Sequence, residues 1–203
     1  MESKPATQEE EYFRKREREL IEKIRLRSQA ESERKGLAEA LGVSDGAILA
    51  DLQSLGFNRD TVSLLHLVPL LQVAWIDGEV TRAEARKIFD AARLRGVLKG
   101  SPAYRLLEEW MQKRPSPEFF DHSLRVIRDL LGLLPEDQRS GGVRGLVSCC
   151  TEIAAASGGL LGMGSRISNV EREALTRIAL ELEADHAGAA RGVVEGIYGA
   201  QAG

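Results

Sequence analysis

The sequence has two cysteines, and they are neighbours, Cys149 and Cys150. Adjacent thiols build neither a disulfide framework nor a four-ligand zinc site, so a reduced, cytoplasmic protein is expected. Both lie in an apolar helical stretch, which reads as two buried, inert thiols. A long hydrophobic run is also missing. The longest, Leu64 to Ile76, is broken by His66, Pro69 and Gln72 and is too short to cross a bilayer. The opening MESKPATQEEEYF has no apolar centre, which argues against a secretory signal. An excess of basic charge is absent too: the net charge is −3, with no global attraction to nucleic acid or anionic membrane. His66, His122 and His186 are too scattered for paired metal-ligand or triad spacing. No segment brings together the nucleophile, base and oxyanion donors of an acyl-transfer site, so a non-enzymatic protein is expected.

What is present is enough for a folded core. Hydrophobic residues make up 43% and charged residues 29%, a balance that suits one domain with extensions. No run alternates with period two, and helical spacing recurs throughout, so the fold is expected to be all-α. Residues 1–35 mix acids and bases around a narrow stripe of Phe13, Leu20, Ile21 and Ile24, the pattern of a charged helical arm. Gly42 and Gly56 read as glycines that end two short helices, and Asp60 as the cap of the next, which Pro69 should kink. Ser101-Pro102 and Ser116-Pro117 each place a capping serine before a first-turn proline. Further helices are expected from about Pro135 to Ser157 and from Asn169 to about Ala184.

One stretch raises a chemical question. Asp77-Gly78-Glu79-Val80-Thr81-Arg82-Ala83-Glu84 reads like the second half of a calcium loop. Such a loop needs oxygen ligands at positions 1, 3 and 5, glycine at 6 and glutamate at 12. With Asp77 at position 5 and Glu84 at 12, positions 1 and 3 fall on Val73 and Trp75, which offer no ligand side chain. The loop is not an EF-hand. Thr81 and Glu84 instead have the spacing of a capping box, and Ser168 and Glu171 repeat it. The repetition extends outward: Val73 to Gly78 parallels Ile153 to Gly158, with extra residues in the second loop.

The string VAWIDGEVTRAEARKIFDAA resembles the signature of the TerB-like family, named for tellurite-resistance TerB. The resemblance covers about residues 60–184. It implies a compact helical bundle of two related halves, each with an Ala-x-x-Asp-Gly-x-[Ile/Val]-[Ser/Thr]-x-x-Glu motif, and a divalent metal between them. Carried over to this sequence, the metal residues are Asp77, Glu84 and Glu171, with calcium or magnesium as the ion. The second copy departs from the motif, because Ser157 stands where aspartate is expected. The resemblance further implies a stress-associated binding or scaffold protein, tellurite-resistance-like, with a protein partner and a peripheral link to a membrane complex.

A different reading comes from LAEALGVSDGAILADLQSLG, which resembles the helix-turn-helix of DeoR-type repressors and makes a DNA-binding transcriptional regulator the alternative. Its second helix carries Asp45 and Asp51 and no lysine or arginine, so it would repel phosphate, and no nucleic-acid partner is expected. GGLLGMGSR lacks the lysine of a phosphate loop and follows a helix, so it reads as a hinge. The expected architecture is therefore a charged helical arm (1–35), a helix-turn-helix-like corner (36–59), a two-halved helical bundle (60–184) and a small-residue tail (185–203).

Overall fold

The computed structural model describes residues 8–156 and 167–183. Among them are α1 (Gln8–Leu41), α2 (Gly46–Ser54), α3 (Val68–Ala74), α4 (Arg82–Leu94), α5 (Pro102–Gln112), α6 (Pro117–Gly132), α7 (Glu136–Ala156) and α8 (Asn169–Leu182). A 3-10 segment covers Val62–Leu67, and the described residues contain no strand. The fold is an all-α bundle, as helical spacing predicted. No helix among the described residues is long and apolar enough to cross a membrane.

Helix boundaries follow from local chemistry. Asp45 caps α2, its Oδ1 accepting from Ala47 N at 2.8 Å and Ile48 N at 3.2 Å. Ser101 and Ser116 cap α5 and α6, each with proline in the first turn, where the missing N–H would have been unpaired anyway. Gly56 and Gly96 turn the chain out of α2 and α4 at φ of 83° and 80°, a conformation that side chains resist.

Pro69 does not kink a helix. The chain winds as a 3-10 segment before it, and Pro69 takes the first turn of α3, where its ring meets no preceding α-helical turn. Thr61, rather than Asp60, holds the N-terminal position of that segment.

α1 is continuous through residues 35 and 36, the expected junction of arm and corner. Its 34 residues give a rod about 50 Å long. Tyr12, Phe13, Leu20, Ile21, Ile24 and Leu26 are all more than half exposed, whereas Leu37 is completely buried. The C-terminal part is held by α2, where Gln53 Nε2 donates to Ala30 O at 2.8 Å. α2 in turn buries Ile48, Leu49 and Leu52 and packs against α6 as well as α1.

At the centre lies α3, in which every residue but Gln72 is buried. It packs against α4, α6, α7 and α8. At its end, Trp75 Nε1 donates to Trp110 O at 2.9 Å, joining α3 to α5. Trp110 also stands against Phe57 and Phe119, with ring centroids 6.0 and 5.3 Å away. The helix pairs α3–α4 and α7–α8 pack on one another: α7 packs on both α3 and α4, and α8 on α3.

Candidate functional site

Each of the two units starts its second helix on the same device. At α4, Glu84 Oε2 accepts from Thr81 N and from Thr81 Oγ1, both at 2.7 Å, while Glu84 N donates to Thr81 Oγ1 at 3.3 Å. At α8, Glu171 Oε2 accepts from Ser168 N at 2.6 Å and Glu171 N donates to Ser168 Oγ at 3.2 Å. Both capping boxes are complete, and they follow from the Thr/Ser-x-x-Glu spacing.

These glutamates are unusual for capping residues. A helix-start glutamate normally lies in water, yet Glu84 is 2% and Glu171 3% exposed. α4 and α8 both pack against α7, and the charge of Glu171 reaches Glu84. Burial, the largest cause, raises the pKa of Glu84 above its ordinary 4.5, and the charges of Glu171 and Asp77 raise it further. The Thr81 hydrogen bonds oppose the rise without cancelling it. The site is a pair of desolvated carboxylates, each held by its own helix start.

Asp77 differs from the pair. It is exposed on the turn, with Gly78 beside it at φ 91°, and acts on Glu84 only through its charge. Among the described residues, no group of three or more His, Cys, Asp and Glu side chains is close enough to hold a metal ion. A hard cation takes six to eight oxygens. Two carboxylates, each with one oxygen committed to its cap, fall short of that set. Ser157 and the glycine loop that follows it lie outside the described residues.

No protein-family model matches the chain, and no curated protein or solved structure matches it either.

Sequence reasoning missed Lys87. It stands one turn beyond Glu84 and its Nζ donates to Glu152 O at 2.9 Å, linking α4 to α7. Its i, i+3 spacing from Glu84 was the available signal. The thiols also divide: Cys150 is buried and burial pushes its pKa up, but Cys149 is exposed. His122 is placed against α2, with Nε2 3.4 Å from Asp51 Oδ1. His186 lies outside the described residues.

Proposed function

We propose that the chain is a non-enzymatic, stress-associated helical binding or scaffold protein of the TerB-like, tellurite-resistance type. The observation that carries this reading is the burial of two capping glutamates, Glu84 on α4 and Glu171 on α8, with the charge of Glu171 acting on Glu84. Their like charges oppose close packing of the units at neutral pH. A divalent cation, calcium or magnesium, would offset that repulsion, with Glu84 and Glu171 holding it and Asp77 adding charge. The two-carboxylate donor set limits such binding to the millimolar range, as in the weakest calcium modules. The junction would then be a cation-responsive contact inside a cytoplasmic scaffold.

The exposed apolar side chains of α1 support the scaffold part of the reading, because a 34-residue helix with this stripe offers a protein partner a ready face. The transcription-factor reading has weaker support: the helix that would enter DNA spends Ile48, Leu49 and Leu52 on the core and carries no basic residue.

The test is thermal unfolding of wild type, Glu84→Gln and Glu171→Gln with calcium or magnesium up to about 10 mM, roughly tenfold above the weakest calcium modules. A rise in Tm for wild type that both variants lose supports the reading. No rise, or a rise of equal size in all three proteins, overturns it.

A further inference from the structure

The connection between α4 and α5 concentrates one sign of charge. Between Asp90 and Glu108 the sequence has Arg93, Arg95, Lys99 and Arg105 and no acidic residue, although the whole chain carries a net −3. All four basic residues are exposed. Arg93 lies 3.6 Å from Asp90, but both side chains are in water, which screens such a pair.

The same connection holds the two most exposed large apolar side chains of the described residues, Leu94 at 84% and Leu98 at 68%. They are four residues apart, so at most about 14 Å of backbone separates them. A tight loop holds them out. α4 ends with Gly96 N donating to Arg93 O at 3.0 Å and Val97 N donating to Ala92 O at 3.1 Å, the bonds of a Schellman motif. Gly96 takes the positive φ that this motif requires, and Val97 turns inward and is buried. A second turn follows at once, where Ser101 N donates to Leu98 O at 3.0 Å and Gly100 adopts a φ of 85°. Arg105 Nη1 donates to Gly100 O at 3.1 Å and ties the loop to α5. Val97 is therefore the anchor, and the leucines on either side of it stay outside.

The connection between α6 and α7 extends this apolar surface. Arg95 lines one cavity together with Leu133 and Leu134, which are also exposed. Protruding leucines and a surrounding cluster of cations select the occupant. A rigid protein surface would need a matching pit for each leucine, whereas a fluid acyl phase receives them without one. The cations call for anionic groups bordering that apolar phase. An anionic bilayer offers both in one surface.

We propose that the α4–α5 loop docks on an anionic lipid bilayer, with Leu94 and Leu98 entering the acyl boundary and Arg93, Arg95 and Lys99 against the headgroup phosphates. The contact is peripheral and reversible. It is separate from the Glu84–Glu171 junction and stands or falls independently of it.

Co-sedimentation of the full chain with phosphatidylcholine vesicles, with and without about 30% phosphatidylglycerol, tests the proposal. Wild type is expected to bind the anionic vesicles at least roughly tenfold more strongly than the neutral ones. That excess should fall away as salt rises from about 0.05 to about 0.5 M. Replacing both leucines, Leu94→Ser with Leu98→Ser, should weaken anionic binding about tenfold or more through lost apolar burial. Replacing two cations, Arg95→Gln with Lys99→Gln, should weaken it roughly fivefold per charge and leave binding to neutral vesicles unchanged. All four side chains are exposed, so both double variants should keep the wild-type Tm. Should one fail to fold, the other still decides. No binding of wild type to anionic vesicles overturns the proposal, as does equal binding to neutral and anionic ones. Anionic binding that either folded variant retains in full also overturns it, because charge alone or another surface such as α1 then makes the contact.

Discussion

Replacing Thr81 with alanine tests the capping box at the start of α4. The hydroxyl has two roles: it accepts from Glu84 N at 3.3 Å and donates to Glu84 Oε2 at 2.7 Å. Loss of an N-cap acceptor costs about 1 kcal/mol. Loss of a hydrogen bond to a charged, buried carboxylate adds about 1.5 kcal/mol or more. Thr81 N still donates to Glu84 in the variant, so the carboxylate keeps one partner. The expected total at neutral pH is about 2–3 kcal/mol, or ~4–12 °C in Tm for a domain of this size. Circular-dichroism melts, with urea titrations at fixed m-value, would measure it. The deficit should shrink in acid, where Glu84 is protonated and the hydroxyl no longer bonds a charge. A loss below about 0.5 kcal/mol, equal at both pH values, would refute the assignment of the hydroxyl as a donor to a buried carboxylate.

Three further outcomes are expected. Glu84→Gln should gain stability relative to wild type as pH rises from about 4 to about 8. The folded pKa of Glu84 lies above 4.5, so its favourable contribution is complete below that value and is lost as pH rises through the folded one; a flat difference across that range would contradict the shift. Trp75→Phe should cost about 1–3 kcal/mol by chemical unfolding, since it removes the Nε1 bond to Trp110 O while keeping an aromatic ring. Deletion of residues 1–28 should leave cooperative unfolding intact because that part of α1 is exposed, whereas Leu37→Ala should cost about 2–5 kcal/mol; loss of the cooperative melt on deletion would assign the arm to the core.

Much of the fold was legible because it is written in local chemistry. Ser101-Pro102, Ser116-Pro117 and the two capping boxes act over three or four residues, and the structure has helix starts at each of them. The turn glycines Gly42, Gly56, Gly78 and Gly96 all adopt positive φ. Features that depend on distant neighbours were not legible. The arm and the corner divide at residues 35 and 36 in the sequence reading, yet α1 runs through both, and a Cβ at Gly36 would come 3.3 Å from Arg59 Cβ, a tertiary approach that accounts for the glycine. Pro69 looked like a kink because the apolar period runs on across it, and only the 3-10 winding of the chain before it makes it a helix start. For the candidate site, spacing identified Glu84 and Glu171 as caps. Their burial depends on α4 and α8 both packing against α7, which no local pattern encodes.

The central claim is that the buried carboxylates of Glu84 on α4 and Glu171 on α8 repel one another. A double-mutant cycle of Glu84→Gln and Glu171→Gln, read by urea unfolding at neutral pH and again below pH 4, tests it most directly. Either single substitution relieves the repulsion, so the second has none left to relieve. The double variant should therefore be less stable than the sum of the single effects by about 0.5 kcal/mol or more at neutral pH, and this coupling should vanish in acid, where Glu84, its pKa raised by burial, is neutral. Additivity within about 0.3 kcal/mol at neutral pH would mean that the two glutamates do not sense each other, and would contradict the account.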